Sequence, residues 1–519
     1  MQLNRLVAAA RRGKSAVYTF EGGKSACHPL PHLAEDVTSK RNELQAWGVA
    51  PGMRVGIYGP NSYQWLVHDL ALIEIGAISV PFTDDFAGNV NVGLLDRYDI
   101  SLLLLAAKHA KFFIPTPSHV AFLDAQNGAV AARECLSPND ADLADQHSLV
   151  FSSGSAGGLK GLVISRKGVE TTLPPIMEAI GARPGDRLQL FLPMSNLQQR
   201  NMCYLAIWYD CDIIITDFTQ LFAAMKALNP TVLIAPPVFF EMVFSEFEKL
   251  PRWKRIISNA LGAAISLLPG EASRRNLARR LFAPVLSQFG GGMRRLITGM
   301  APIRHDMGRF FERMQLPLCE SYGMVEAGSI TFRSPQSRHY ASVGRVLGGI
   351  ELSFREDGEI LVHRESPLTL RYFQCAEGEN ERTFVAPGTI ATGDIGRLDG
   401  DGNLFLEGRK KEQIVTSGGH KIHPEAIEQE MNGCTAIVRS VAFLKPGATH
   451  LTCVIDLAQP EAPDARALVR KHINAMRSTK RAFQFVEILF AEAPFSMANG
   501  MLRPNMKLDR KAIAAKYAV

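Results

Sequence analysis

Short apolar runs, each long enough for one buried strand, recur through the first 300 residues with longer helical stretches between them. The runs are Arg54–Tyr58, Leu102–Ala106, Leu188–Leu192, Ile213–Thr216, Val232–Ala235 and Leu296–Thr298. They lack the polar–apolar alternation of a half-exposed strand, as expected of strands that are buried on both faces. Strands that alternate with helices predict an α/β fold with mostly parallel sheets.

The pattern changes after about Ser334. Segments such as EDGEILVHR and GRLDGDGNLFLEGR have the form of strand, turn and strand. Asp401 and Gly402 suit a hairpin turn, because glycine accepts the positive φ angle that such turns require. This region is therefore predicted to be a small antiparallel β subdomain.

From about Lys411 to the end, short strands mix with helices. The predicted strands are Ile437–Phe443, Thr452–Leu457 and Gln484–Phe490, and the predicted helices are Pro424–Met431 and Pro463–Met476. A chain of 519 residues exceeds the roughly 250–300 at which a single core stops growing. We therefore predict two domains, residues 1–410 and residues 411–519, joined by a tight hinge, since no Pro/Gly/Ser-rich linker separates them.

Composition narrows the class of protein. The apolar share of 46% and the charged share of 21% are ordinary for a globular chain, and the formal net charge of +6 is mild. Such a charge suits anionic small ligands but does not indicate a nucleic-acid-binding surface. The eight cysteines form no CxxC pair, so neither a zinc site nor a redox motif is expected. With no secretory signal and no spanning apolar run, we expect a soluble, cytoplasmic protein.

The segment from Trp253 to Arg295 is rich in basic residues around the apolar stretch Ala260–Leu268. It suits an amphipathic basic helix that could make peripheral contact with an anionic membrane. A solvated helix face explains the same charges, and the sequence favours that simpler interpretation.

The first chemical motif is a loop of small and hydroxyl residues that ends in a lysine, after the apolar lead Leu149–Phe151. Backbone N–H groups and hydroxyls in such a loop can close around phosphate oxygens. The candidate phosphate ligands are Ser152, Ser153, Gly154, Ser155, Gly157 and Lys160. The loop fails the GxxxxGK[ST] pattern, which disfavours a P-loop kinase or GTPase, and a flexible Gly/Ser turn is the alternative.

Three further motifs follow strands or precede a helix. Gly299–Pro302 comes directly after a predicted strand, and Glu320–Glu326 lies some twenty residues on, where α/β sheets place ligands. Asp394 follows Thr392-Gly393 and could accept hydrogen bonds from a ribose diol, with Arg409 in support. The glycine loop Ser417–Gly419 precedes a helix that begins at Pro424. A core tyrosine and surface charges would explain each motif taken singly.

In this order and spacing, the motifs resemble those of the adenylate-forming superfamily: acyl-CoA synthetases, peptide-synthetase adenylation domains and beetle luciferases. The resemblance runs from about Val17 to Lys516. It is nearest to fatty acyl-CoA synthetases, because three segments are similar to theirs. These are LFLPMSNLQQR (Leu190–Arg200), NPTVLIAPPVFFEMVF (Asn229–Phe244) and NGMLRPNMKLDR (Asn499–Arg510).

The resemblance implies a fold and a reaction. The fold is a large N-terminal domain of two α/β sheet subdomains and a small β-barrel-like subdomain, followed by a small mobile α+β C-terminal domain. The reaction joins a carboxylic acid to ATP, with Mg²⁺, giving acyl-AMP and pyrophosphate. A thiol then displaces AMP. Coenzyme A is the expected acceptor, and the phosphopantetheine of an acyl carrier protein is the alternative.

It also implies roles for individual residues. Residues Ser152 to Lys160 would hold the β- and γ-phosphates, and Glu326 would bind Mg²⁺. The adenine would lie among Gly299, Ala301, Pro302, Ser321, Tyr322, Gly323 and Met324. Asp394 and Arg409 would bind the ribose, and Lys507 would bridge the carboxylate and the α-phosphate. Lys411 would be the hinge, and Ser417, Gly418 and Gly419 would shape the thiol tunnel.

Four positions depart from the family pattern. Ala156 replaces a usual Thr, Leu159 a usual Pro, Val325 a usual Thr and Asn196 a usual His or aromatic residue. Because of these changes, a catalytically impaired relative of the family is an alternative interpretation. A medium- or long-chain fatty acid is the expected substrate, in an apolar region between Asn196 and Arg295, and an aryl acid is the alternative.

Overall fold

The computed structural model describes most of the chain. It covers all residues except 83–89, 113–116, 125–126, 128–129, 134–144, 154–158, 249, 300–302, 304, 338, 340, 416–420, 423, 435, 446–447, 449, 459, 480–485, 503–507 and 519. Of the predicted site, Gly154, Ser155, Gly157, Ala301, Pro302, Ser417, Gly418, Gly419 and Lys507 therefore lie outside the described residues.

Strands and helices alternate along the first 330 residues. The strands are β1 (Ala16–Glu21), β2 (Lys24–Pro29), β3 (Arg54–Tyr58), β4 (Ile78–Pro81), β5 (Ile100–Leu105), β6 (Val120–Phe122), β7 (Gln146–Ser153), β8 (Leu159–Ser165), β9 (Arg187–Leu190), β10 (Asp212–Ile215), β11 (Val232–Ile234), β12 (Arg295–Gly299), β13 (Leu318–Met324) and β14 (Gly328–Arg333). The helices are α1 (Leu6–Arg12), α2 (Leu30–Ala46), α3 (Tyr63–Ile75), α4 (Val92–Arg97), α5 (Arg166–Thr172), α6 (Pro174–Ile180), α7 (Leu197–Trp208), α8 (Leu221–Leu228), α9 (Pro237–Glu248), α10 (Arg252–Ser266), α11 (Glu271–Leu281), α12 (Ala283–Leu286) and α13 (His305–Arg313).

The remainder is richer in strands. These are β15 (Arg345–Val346), β16 (Glu351–Phe354), β17 (Glu359–His363), β18 (Thr369–Phe373), β19 (Phe384–Ala386), β20 (Thr389–Leu398), β21 (Leu404–Arg409), β22 (Ile414–Val415), β23 (Lys421–Ile422), β24 (Ile437–Leu444), β25 (Leu451–Leu457) and β26 (Val486–Phe490). The helices are α14 (Glu379–Thr383), α15 (Pro424–Met431), α16 (Ala465–Thr479) and α17 (Arg510–Tyr517).

Two large sheets form the centre of the molecule. The nine-stranded sheet has the order β15-β14-β13-β12-β11-β9-β10-β1-β2, and the seven-stranded sheet has the order β18-β8-β7-β4-β3-β5-β6. Pairs in the middle of both sheets are parallel. Antiparallel strands close both ends of the nine-stranded sheet and the β18 end of the seven-stranded sheet, whose other edge strand, β6, pairs parallel with β5. The buried apolar strands of the sequence pattern are these parallel strands, so the predicted α/β fold is confirmed.

The region predicted as one antiparallel β subdomain contributes to three sheets. Strands β16, β17, β19, β20 and β21 form the expected antiparallel sheet, and Gly402 takes the predicted positive φ angle of 78° in the β20–β21 hairpin. Strand β18, however, pairs with β8 of the seven-stranded sheet, and β15 joins the nine-stranded sheet. A crossing of this kind joins residues some 200 positions apart, which a local pattern does not encode.

A buried arginine joins the two large sheets. Arg200 of α7, which follows the nine-stranded sheet's β9, is fully buried. Its guanidinium lies 3.4 Å from Asp69 Oδ1 on α3 and donates to Ser79 Oγ (2.9 Å) and Ser148 Oγ (2.7 Å) on strands of the seven-stranded sheet. Tyr204 also donates to Asp69. Because an unpaired buried charge is costly, this network fixes how the sheets face each other.

The C-terminal region packs its own core around β24, β25 and β26. At its boundary with the preceding β sheet, three carboxylates face two arginines. Arg510 contacts both carboxylate oxygens of Glu428 and lies 3.1 Å from Glu412. Burial and the nearby Glu412 raise the pKa of Glu425 to about 7, against the lowering effect of Arg510 and Arg409. The cluster therefore has three carboxyl groups for two arginines, and Glu425 is a carboxyl that retains its proton up to near-neutral pH.

In the described part of the chain, no helix combines the length and apolarity needed to cross a membrane.

Replacing Arg200 by Ala is expected to destabilise the fold by about 3–5 kcal/mol, because Asp69 would remain buried without its cation. Urea unfolding measures the loss. Arg397→Ala, which removes a pair with Glu407 that is exposed on both sides, should cost less than about 1 kcal/mol. Equal stabilities of the two variants would contradict the structural role of Arg200.

Glu425→Gln is expected to raise the thermal-unfolding midpoint at pH 8 and to leave it unchanged below pH 4. The pKa of Glu425 is about 7 in the fold and 4.5 as the ordinary value, so the native state binds this proton more tightly. That contribution is fully present below the unfolded pKa and is lost as pH rises through about 7. Glu377→Gln, at an exposed position, is the charge-matched control. A gain that is independent of pH would refute the explanation.

Candidate active site

The candidate nucleotide site is built around strand β13 and the turn that follows it. Strand β12 ends at Gly299, which is the register partner of Ser321 on the parallel strand β13. A Cβ atom on Gly299 would lie only 2.6 Å from the Ser321 carbonyl oxygen, so this position requires glycine. Two of the predicted adenine-binding segments are thus neighbours at the carboxyl edge of one sheet, where α/β folds bind ligands.

The turn after β13 is tight and is tied to the other large sheet. Ala327 donates its N–H to the Met324 carbonyl (3.2 Å), and a Cβ atom on Gly323 would lie 2.3 Å from the Gly328 carbonyl oxygen. Thr369 of β18 donates its hydroxyl to the Val325 carbonyl (2.9 Å). The segment Gly323–Glu326 therefore sits where the nine-stranded and seven-stranded sheets meet.

Tyr322 joins the predicted adenine and ribose residues. Its hydroxyl donates to Asp394 Oδ2 (2.7 Å), while Arg409 Nε lies 3.2 Å from Asp394 Oδ1. Asp394 and Arg409 are register partners on β20 and β21. Burial raises the pKa of Asp394, and the Arg409 charge opposes this rise. The structure thus brings together three residues that the sequence placed in separate motifs.

The described ends of the phosphate-loop motif lie at the end of β7 and the start of β8. Ser152 pairs with Lys160 and Ser153 with Leu159 in the strand register, and of these two serines only the strand placement is described. Lys160 Nζ donates to Glu379 Oε1 (2.6 Å) and lies 4.9 Å from the ring centre of Tyr372. The ammonium has three donors, so it can hold Glu379 and still donate to a further oxygen.

Tyr372 connects this lysine to the predicted magnesium ligand. Its hydroxyl donates to Glu326 Oε1 (2.8 Å), and its ring is the one that Lys160 approaches. Burial and the neighbouring Glu326 charge raise the pKa of Tyr372 well above its ordinary value, so the hydroxyl keeps its proton. Sequence reasoning missed Tyr372 and Glu379, since an aromatic residue in a strand has the appearance of core.

The predicted hinge residue lies between two ion-pair clamps. Lys410 Nζ contacts Glu359 (2.8 Å) on β17 and Asp357 (2.7 Å) in the turn before that strand. Glu412 contacts Arg510, the first residue of α17. Lys411 stands between these two anchored neighbours, with an exposed side chain.

Two features of the region between Asn196 and Arg295 have structural roles in this conformation. Asn196 caps helix α7, with its side-chain oxygen accepting from the Gln198 N–H (3.0 Å). Phe239, Phe240 and Phe244 belong to a packed aromatic core between α9 and α13, whereas Met242 is exposed. These phenylalanines therefore stabilise the fold in this conformation, and Asn196 has a local structural role.

Curated relatives match almost the whole chain. A long-chain fatty acid–CoA ligase of Mycobacterium tuberculosis, FadD15, is 27% identical and the match covers 92% of this chain and 88% of that protein. Long-chain fatty acid–CoA ligase 5 of rat is 23% identical, with 89% of this chain and 78% of that protein covered.

Solved structures share the fold. The ATP-bound MatB from Rhodopseudomonas palustris aligns with a TM-score of 0.75 at 19% identity, covering 100% of this chain and 99% of that one. The anthranilate CoA ligase AuaEII in complex with anthranoyl-AMP aligns with a TM-score of 0.75 at 16% identity, covering 99% and 97%. The family model of the AMP-binding enzymes matches residues 13–366. With the site geometry above, the chain belongs to the AMP-binding family of adenylate-forming enzymes.

Proposed function

We propose that this enzyme activates a medium- or long-chain fatty acid with ATP and transfers the acyl group to coenzyme A. The acid would attack the α-phosphorus, giving acyl-AMP and pyrophosphate, and the coenzyme A thiol would then displace AMP. The observation that carries the proposal is the convergence on β13 and the turn after it: Tyr322 donates to Asp394, which pairs with Arg409. Glu326 accepts from Tyr372, whose ring lies beside Lys160. ATP needs an aromatic residue near its base, a carboxylate for its ribose hydroxyls, and a metal-binding carboxylate with a cation for its phosphates. Tyr322, Asp394, Glu326 and Lys160 are groups of these kinds.

The residues at this edge suit Mg-ATP. Carboxylate oxygens are ligands that Mg²⁺ prefers, and Mg²⁺ usually binds through one or two carboxylates and substrate phosphates. Glu326 would hold the ion, which would neutralise phosphate charge. Lys160 would donate to phosphate oxygens from the β8 strand. Asp394 would accept hydrogen bonds from the ribose hydroxyls, held in place by Tyr322 and Arg409.

The substrate class rests on the relatives. The curated proteins quoted above bear the names of long-chain fatty acid–CoA ligases, and the segments Leu190–Arg200 and Asn229–Phe244 resemble that group. Burying each methylene of an acyl chain contributes about 0.8 kcal/mol, so a long chain gains affinity in an apolar site. In this conformation the aromatic core of Phe239 and Phe240 is closely packed, so chain entry requires side chains to move.

The two-step reaction calls for a change of partners. We propose that the C-terminal domain, residues 411–519, pivots at Lys411 between the half-reactions. Lys507 would serve adenylation, and the loop Ser417–Gly419 would serve thiol transfer after the pivot. The clamps on Lys410 and Glu412 support this pivot, because they attach each neighbour of Lys411 to a different body. Hinges of a few residues are a common means of domain closure.

A panel of carboxylic acids, read out by pyrophosphate release and by mass spectrometry of the thioester, tests the activity. Saturated fatty acids of increasing length and anthranilate are offered, each with coenzyme A or with an acyl carrier protein. The proposal expects acid-dependent pyrophosphate release with fatty acids and a coenzyme A thioester. Release with the aromatic acid alone, or with no acid, would refute the proposed substrate.

Lys507→Ala is expected to lose acyl-AMP formation by about a thousandfold or more, since it removes a cation from two anions in the transition state. It should retain thioester formation from acyl-AMP that is supplied. Lys511→Ala, four residues on and exposed, is the control and should keep both steps. Normal adenylation by Lys507→Ala would contradict the assigned role.

Tyr372→Phe should raise the Mg²⁺ concentration for half-maximal pyrophosphate release about tenfold. The variant keeps the ring beside Lys160 but loses the hydrogen bond to the Glu326 carboxylate, and bonds to charged groups contribute about 1.5–3 kcal/mol. Tyr98→Phe, a buried tyrosine in the core of the same seven-stranded sheet, is the matched control. An unchanged Mg²⁺ dependence would show that the hydroxyl does not orient Glu326.

A further inference from the structure

Helix α10 presents its polar side to the protein. Arg313 of α13 donates to Asn259 Oδ1 (2.6 Å), and Gln315 donates to Ser266 Oγ (2.9 Å). Between these contacts, a Cβ atom on Gly262 would lie 2.7 Å from Arg313 Cβ, so the two helices touch closely. Apart from the buried Ile265, polar and small residues thus occupy the inner face, where an ordinary surface helix places most of its apolar side chains.

The apolar side of the same helix faces solvent. Trp253, Ile256 and Ile257 are 59%, 57% and 49% exposed, and Leu261 follows one turn later. These positions recur at intervals of three and four, so they form one continuous stripe. At the helix end, Leu267 is 86% exposed and Leu268 is exposed beside it. We call these six residues, Trp253, Ile256, Ile257, Leu261, Leu267 and Leu268, the exposed stripe.

A contiguous apolar surface of this kind marks an interaction site. Single exposed apolar residues are ordinary on protein surfaces. Four in one helical register on α10, with two more directly after its end, are not explained by the packing of the described residues. The exposed stripe therefore suits a binding partner that offers an apolar environment.

Basic residues border the stripe. The 30 residues 252–281 hold seven lysines and arginines and a single acid, Glu271, so their formal charge of +6 equals that of the whole chain. Lys254 Nζ lies 5.4 Å from the Trp253 ring centre, and Arg274 donates to the Leu268 carbonyl (3.1 Å). The cations therefore lie beside the apolar side chains, as at a lipid headgroup boundary.

We propose that the α10–α11 hairpin, residues 252–281, docks the protein peripherally on an anionic phospholipid bilayer. The exposed stripe enters the headgroup–acyl boundary, and the surrounding cations face lipid phosphates. A helix with one apolar and one cationic face lies in the plane of such an interface. The charge of the hairpin favours an anionic bilayer over a second copy of the chain. Two copies that met through this hairpin would bring two surfaces of formal charge +6 together, and these would repel each other.

Docking is independent of the proposed catalytic function. Vesicle binding requires neither ATP nor an acid, so the failure of either proposal leaves the other measurable. None of the residues in the exposed stripe belongs to the candidate active site.

Cosedimentation of the full chain with vesicles tests the surface. Binding is expected to vesicles of phosphatidylcholine with 30% phosphatidylglycerol and to be about tenfold weaker with phosphatidylcholine alone or in high salt. Ile257→Glu should weaken binding about tenfold or more, because it puts a carboxylate in the stripe. Leu468→Glu is the control: Leu468 is an exposed helical residue of matching exposure, 51%, on α16. It should bind as the unaltered chain does.

The depth to which Trp253 enters the bilayer is tested with phospholipids that carry bromine-labelled acyl chains. These chains quench the fluorescence of an indole inside the bilayer. Quenching is expected in the unaltered protein and should be lost in Trp253→Phe, which retains vesicle binding. No binding by the unaltered chain, or equal binding by Ile257→Glu and Leu468→Glu, would overturn the proposal. The proposal would also be overturned if the chain self-associated, if Ile257→Glu abolished that self-association, and if vesicles did not change it. That result would assign the stripe to a second copy of the chain.

Discussion

The relative placement of the two large sheets depends on one buried cation. Arg200 lies between them without contact to solvent, and its hydrogen bonds to Ser79 and Ser148 and its charge opposite Asp69 admit one arrangement. Hydrophobic packing alone tolerates sliding, whereas a buried guanidinium must keep its acceptors. The same two sheets meet again where the turn after β13 approaches β18, at the candidate site.

At that junction the chemistry is distributed over three sheets. The seven-stranded sheet supplies Lys160 and Tyr372, the nine-stranded sheet supplies Tyr322, and the antiparallel sheet supplies Asp394. No sheet is complete as a site by itself. Ligand binding at such a seam would therefore stabilise the sheets against one another, as well as position reacting atoms.

Local sequence patterns predicted individual strands and helices better than they predicted which strands pair with one another. Strand Arg54–Tyr58 and helix Pro424–Met431 were predicted with the bounds that the structure has, because an apolar run and an N-terminal proline are local signals. The crossing of β18 to β8 was not predicted, and with it the contact of Tyr372 with Glu326 was missed. Long-range register depends on tertiary packing. The roles proposed for all the site residues stay predictions, and Gly154 and Lys507 also lie outside the described residues.

The paired clamps around Lys411 have a mechanical consequence. One neighbour pairs with acids of the antiparallel-sheet region and the other with α17. If the proposed pivot operates at Lys411, the change in backbone angles would fall mainly on that residue. Any swing would carry the entire tail as one rigid arm, and a proline at this single position would lock the arm in place.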